Sequence, residues 1–100
     1  MSLKHQTSRY KNQARNRKLD ALIAEARAKP CADCGMIDAS IMQLDHVPER
    51  GPKLFVVVRH NARRYGFTRL RAELLKVDPV CPNCHAWRGV ARAAAKKGEE

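Results

Sequence analysis

Two Cys-x-x-Cys pairs, Cys31-Ala32-Asp33-Cys34 and Cys81-Pro82-Asn83-Cys84, are the residues whose type and spacing most directly define a chemistry. Each pair can grip one metal ion from a single turn, and the long intervening chain can fold back to join them, giving the four-thiolate tetrahedral site that Zn2+ favours. In a reducing compartment, paired cysteines are more often metal ligands than disulfides. A redox role fits less well, because a thioredoxin-like motif uses one pair in a βαβ setting and here there are two. Cys31, Cys34, Cys81 and Cys84 are therefore expected to hold structural zinc. A closed four-cysteine site has no open coordination position, so any catalysis must lie elsewhere.

Asp45-His46 ends the first expected strand, and His85 directly follows the last cysteine at the start of the final helix. Taken singly, Asp45-His46 would be an ordinary loop pair and His85 a helix N-terminal residue. Their order carries the information. Cys31-x-x-Cys34, then Leu44-Asp45-His46, then Cys81-Pro82-Asn83-Cys84-His85 with Arg88 three residues on, resembles the HNH endonuclease family in its zinc-bearing, small phage and bacterial form. The resemblance spans residues 31–92.

The resemblance implies a ββα-metal (His-Me finger) fold and assigns His46 as the general base that activates the water attacking phosphorus. An imidazole with a reference pKa of about 6.5 suits that task, being substantially neutral at cellular pH. By the same matching, Asp45 and His85 are the expected ligands of one catalytic divalent cation, Mg2+ or Mn2+, with Ni2+ or Zn2+ competent in vitro. Adjacent residues on a strand point to opposite faces, so Asp45 and His46 can share a site only if the strand ends or bulges there; Val47-Pro48 offers the break.

The family's middle residue, usually Asn, positions the general base. Counting forward from His46 by the usual hairpin length reaches Asn61, which is favoured here; counting back from Cys81 reaches Lys76, and His60 is a further occupant to weigh. Asn83 lies inside the second knuckle and more naturally shapes that turn around the thiolates. Arg88, one helical turn beyond His85, is either a phosphate ligand or a solvated helix charge. Lys53, Arg59, Arg63, Arg64, Arg69 and Arg71 can grip flanking phosphates. Tyr65 and Trp87 either stack on a base or fill the core, with the core favoured for Trp87.

These residues need elements to position them. Residues 1–16 are polar and basic without apolar periodicity, read either as a disordered arm or as a helix that forms against a phosphate backbone. Leu19, Leu22, Ile23 and Ala26 fall at helical spacing, on a helix ending near Lys29 before Pro30. Residues 41–47 and the β-branched run 54–58 read as two strands joined by the turn at 48–52. Residues 63–76 carry Leu70, Leu74 and Leu75 as an inserted helix, and 85–97 form the final helix. The expected class is α+β: a small ββα-metal core with a four-cysteine zinc site, an N-terminal helix and an extra helix between hairpin and metal helix. Residues 1–29 form a basic arm and helix, 30–97 the domain, and 98–100 a tail.

Composition narrows the partner. Twenty Lys and Arg against ten acidic residues give a net charge of +10, which favours a polyanion. With aromatic residues at only 5%, the apolar core is thin and gains from a metal staple. No transmembrane-length apolar run or signal-peptide core is evident, so a soluble cytoplasmic protein of a bacterium or a phage-infected cell is expected. The expected function is a metal-dependent endonuclease nicking DNA with little sequence preference; double-strand cuts would require dimerisation or two events. The alternative is a non-catalytic zinc-bound nucleic-acid-binding module. A phage-packaging or mobile-element partner is held only by analogy.

Overall fold

The computed structural model describes residues 3–98, and the side chains of residues 12–98. Its elements run α1 (Leu3–Arg27), β1 (Gln43–His46), a 3-10 turn (Pro48–Arg50), α2 (Arg59–Tyr65), α3 (Phe67–Leu74), β2 (Val77–Val80) and α4 (Pro82–Gly98). They form a small α+β domain with four helices and a two-stranded antiparallel sheet. Among the described residues, no helix is long and apolar enough to cross a membrane.

Helix α1 begins well before the apolar stripe at which the sequence pattern starts it. Leu19 is fully buried, and Leu22 and Ile23 pack beside it. Once that stripe is docked, each residue added upstream gains one backbone hydrogen bond without a new nucleation cost, and the upstream Lys, Arg, Gln and Ala are good helix formers. The basic arm is thus an extension of the packed helix. Of the tail assigned to 98–100, Gly98 closes α4 and the rest lies outside the described residues.

The partner of β1 is not the run 54–58, as expected, but β2, in the register Gln43↔Val80, Leu44↔Pro79, Asp45↔Asp78 and His46↔Val77. Val47 N donates to Lys76 O at 2.8 Å, extending the ladder and making the odd-numbered positions of β1 the hydrogen-bonded ones. Pro79, opposite Leu44, therefore stands where no N–H is required. Its carbonyl turns outward to accept from Ala32 N at 2.8 Å, tying the first knuckle to the sheet.

Residues 54–58 do alternate, with Phe55 and Val57 buried and Leu54, Val56 and Val58 exposed. The segment is extended but satisfies its backbone locally and through side chains: Val58 N reaches Val56 O, and Leu54 N reaches the Glu73 carboxylate. Phe55 stacks on Tyr65 with ring centroids 4.4 Å apart, so Tyr65 takes its core role. The inserted helix expected over 63–76 is two helices, broken at Gly66, whose φ of +90° is open to glycine and costly for other residues. Leu70 from α3 and Ala62 from α2 join Leu19, Phe55, Val57 and Val77 in one core. A second, smaller core contains Met42, Val80, Cys31 and Cys81.

Candidate functional site

The four cysteines converge. Cys31 and Cys34 lie on the turn before β1, and Cys81 and Cys84 at the β2–α4 junction, so β1–β2 pairing carries the knuckles together. Gly35, at φ +80°, closes the first turn through its N–H on Cys31 O. The four sulfurs all lie within 4.8 Å of one another, and Cys34 Sγ and Cys81 Sγ are 3.8 Å apart. Four thiolates bound tetrahedrally at about 2.3 Å would stand about 3.8 Å apart, so the cluster fits a metal ion such as zinc.

Backbone amides support the sulfurs: Cys81 N donates to Cys31 Sγ and Cys84 N to Cys81 Sγ, each at 3.4 Å. Burial alone would raise the Cys31 thiol, but donation from the Cys81 backbone, with help from Cys34 and Asp33, brings it down to about 6. Cys84 is pushed up, first by its hydrogen bond to Cys81 and then by burial. Metal binding would take all four as thiolates, releasing the protons they hold.

Beside this cluster, an open cleft of about 1150 Å³ is lined by Asp45, His46 and His85, with Arg27, Lys53, Arg59 and Arg92 also on its wall. α1, β1, the 51–58 segment and α4 form its sides. Strand alternation turns Asp45 towards α4 and His46 towards α3, and both line the cleft. His85 Nε2 stands 3.6 Å from Asp45 Oδ1.

Asp45 is buried, and both its oxygens are engaged. Arg92 grips Oδ1 at 2.8 Å and Oδ2 at 2.7 Å, and Arg88 Nη1 donates to Oδ2 at 2.9 Å. Burial would raise this carboxyl, but hydrogen bonds and charge from Arg92 and Arg88 outweigh it and hold Asp45 down to about 2. Arg88 also takes Asp33 through two bonds of 2.7 Å and Asp78 at 3.1 Å. In this structure the Arg88 guanidinium donates to three carboxylates, binding the first knuckle, β1 and β2 to α4.

His46 Nε2 lies 2.8 Å from Glu73 Oε2, and Glu73 is 1% exposed. Leu54 N donates to the same oxygen at 3.0 Å, and Lys76 Nζ to Oε1 at 3.0 Å. Desolvation raises the Glu73 carboxyl, yet these donors, Lys76 first, leave it below its ordinary value. Asn61, the favoured middle residue, does not join this group: its Nδ2 donates to Val56 O at 2.8 Å, fastening the start of α2 to the segment before it. Lys76, the other counted position, is linked to His46 through Glu73.

Of the basic residues weighed for phosphate, Lys53 and Arg59 line the cleft. Arg59 and Arg63 lean towards Asp20 at 3.4 and 3.5 Å, and Arg64 sits over Tyr65, 5.5 Å from its ring centroid. Trp87 is 67% exposed instead of buried. Cys84, Arg88 and Arg92 share the helical face that meets the sheet, and Trp87 falls off that face.

Sequence reasoning misses Glu73 and Arg92. Glu73 follows Leu70 by three and precedes Val77 by four, a charged residue in the phase of an apolar stripe. Arg92 follows Cys84 and Arg88 at four-residue steps. Compared with known proteins, the chain matches no family model, no curated protein and no solved structure.

Proposed function

We propose that the protein is a metal-dependent endonuclease of HNH type that hydrolyses DNA phosphodiester bonds, nicking one strand at a time with little sequence preference. The observation that carries this is that Asp45, His46 and His85 all line one solvent-open, basic-walled cleft, with His85 3.6 Å from Asp45. β1, β2 and α4 follow one another in space as a ββα unit, in keeping with the resemblance to that family.

In this scheme Lys53, Arg59 and Arg27 draw the phosphate backbone into the cleft. His46, held from behind by Glu73, takes a proton from the attacking water. Asp45 and His85 would hold one cation, Mg2+ or Mn2+. Their facing atoms are 3.6 Å apart, and such a cation would have to displace Arg92 from Asp45 Oδ1. Such an ion, when bound, neutralises charge developing on the leaving 3′ oxygen.

A second reading has its own observation. The double grip of Arg88 and Arg92 on Asp45 already satisfies that carboxylate, as in a module that keeps the zinc scaffold and basic surface to bind nucleic acid without cutting it. The two separate on supercoiled plasmid, using protein that retains its zinc but is freed of other divalent ions. Nicking on addition of Mg2+, Mn2+ or Ni2+, lost in a folded, zinc-loaded His46→Ala variant, supports the nuclease. Salt-sensitive plasmid binding without nicking in any metal supports the binding module.

A further inference from the structure

We infer that Glu73 is a positioning residue for His46, holding the imidazole with its proton on Nε2 and its Nδ1 lone pair free for water in the cleft. The inference rests on the endonuclease proposal for its purpose and on the geometry of α3 and β1 for its substance. Glu73 is a fully buried carboxylate, and burying an ionised group without function or compensation is costly. Its compensation is specific. Oε1 takes Lys76 Nζ at 3.0 Å, and Oε2 takes both Leu54 N at 3.0 Å and His46 Nε2 at 2.8 Å.

An ionised carboxylate accepts hydrogen bonds and donates none, so its partner nitrogen on a neutral imidazole must be the one that carries the proton. The tautomer of His46 follows: Nε2–H towards Glu73, lone pair on Nδ1. Among the described residues, Nδ1 has no hydrogen-bond partner, and the only buried side-chain nitrogen or oxygen lacking one is Asp20 Oδ1. Nδ1 is therefore reached by solvent, on a residue that lines the cleft. This is the arrangement in which a carboxylate orients a histidine base and stabilises the imidazolium formed when it takes a proton.

Lys76 and the Leu54 amide fix Glu73 in turn. Lys76 Nζ also donates to Pro52 O at 2.9 Å, so the 51–55 segment and the end of α3 hold the carboxylate from two sides.

The test uses the full, zinc-loaded chain with 15N-labelled histidine. Long-range proton–nitrogen correlation is recorded at a pH where the imidazoles are neutral, with His46 assigned through His46→Ala. The expected wild-type spectrum shows the Nε2–H tautomer, and Glu73→Gln, whose amide can either donate or accept, shows a mixture. In nicking assays kcat of Glu73→Gln falls about 100-fold, with KM for DNA within about twofold, since orientation of a general base acts on the chemical step.

A wild-type His46 carrying its proton on Nδ1 overturns the inference, and that spectrum decides even if the variant fails to fold. A folded Glu73→Gln that nicks at the wild-type rate also overturns it, while leaving the nuclease standing. If the wild type fails to nick whichever metal is added, the endonuclease proposal falls, and the tautomer spectrum still decides whether Glu73 sets the state of His46.

Discussion

Arg92 closes a two-pronged grip on Asp45, Nη1 to Oδ1 at 2.8 Å and Nη2 to Oδ2 at 2.7 Å, in the cleft that both line. The Arg92 side chain is 43% exposed, so it can swing into solvent where Asp45 cannot. On the proposed function, a divalent cation at Asp45 and His85 must compete with this guanidinium. Arg92→Ala is expected to tighten Mn2+ binding about tenfold without DNA, because a positive charge beside the site is removed. Electron paramagnetic resonance titration of free Mn2+ reads this directly, and unchanged affinity would mean that the cation does not use Asp45.

The same pairing sets a pH window. Asp45 is lowered from 3.8 to about 2, so its ionised form stabilises the fold above the unfolded value, and this stabilisation is lost as pH falls through the folded one. Wild type should exceed Asp45→Asn by about 2 kcal/mol above roughly pH 5, the gap closing between about pH 4 and 2. Urea unfolding of both proteins at matched zinc tests the gap near neutral pH, where the thiolate ligands keep the metal. Equal stability of the two zinc-loaded proteins there would place the contribution of Asp45 in something other than the carboxylate's charge.

Arg88 is the tie between knuckle, sheet and α4. Arg88→Ala would leave the buried Asp45 without one of its cations and strand Asp33, while Asp78 would keep only Arg50, for a loss of about 3 kcal/mol in denaturant unfolding. Arg88→Lys should recover little, since an ammonium cannot span three carboxylates with a planar fork. Wild-type stability in the lysine variant would show that charge alone, and not geometry, is what Arg88 contributes.

The cysteine cluster should take up one Zn2+ per chain by elemental analysis. Structural zinc in small domains binds with an apparent free energy of about 10 kcal/mol or more, larger than the stability a domain with so thin a core can carry alone. Chelation is therefore expected to abolish hydrogen-exchange protection across β1 and β2, whose small core of Met42 and Val80 includes two of the cysteines. Protection that survives complete metal removal would show that the sheet stands on packing alone.

The residues with chemical character are legible in the sequence: four cysteines by their spacing, and Asp45, His46 and His85 by their order around the knuckles. The stripe of Leu19, Leu22 and Ile23 is legible too, because helical burial leaves a period in the sequence. The partner of β1 is not. Residues 54–58 alternate as a strand does, and Val77-Asp78-Pro79-Val80 carries a proline that argues against one, yet a proline at a non-hydrogen-bonded position of a two-stranded sheet costs the ladder nothing.

Composition, spacing and period belong to the chain itself, and they determined the cysteine pairs, the basic character and the helical faces. Which groups meet across the chain belongs to the tertiary structure alone. Glu73 lies 27 residues from His46, and Arg92 lies 47 residues from Asp45. Such separations leave no local period, since hydrogen bonds and ion pairs form where packing brings donor and acceptor within about 3 Å, whatever the length of chain between them. Tertiary packing, which brings Glu73 of α3 to His46 and Arg88 and Arg92 of α4 to Asp45, decided that His46 is backed by a carboxylate and Asp45 by two guanidiniums.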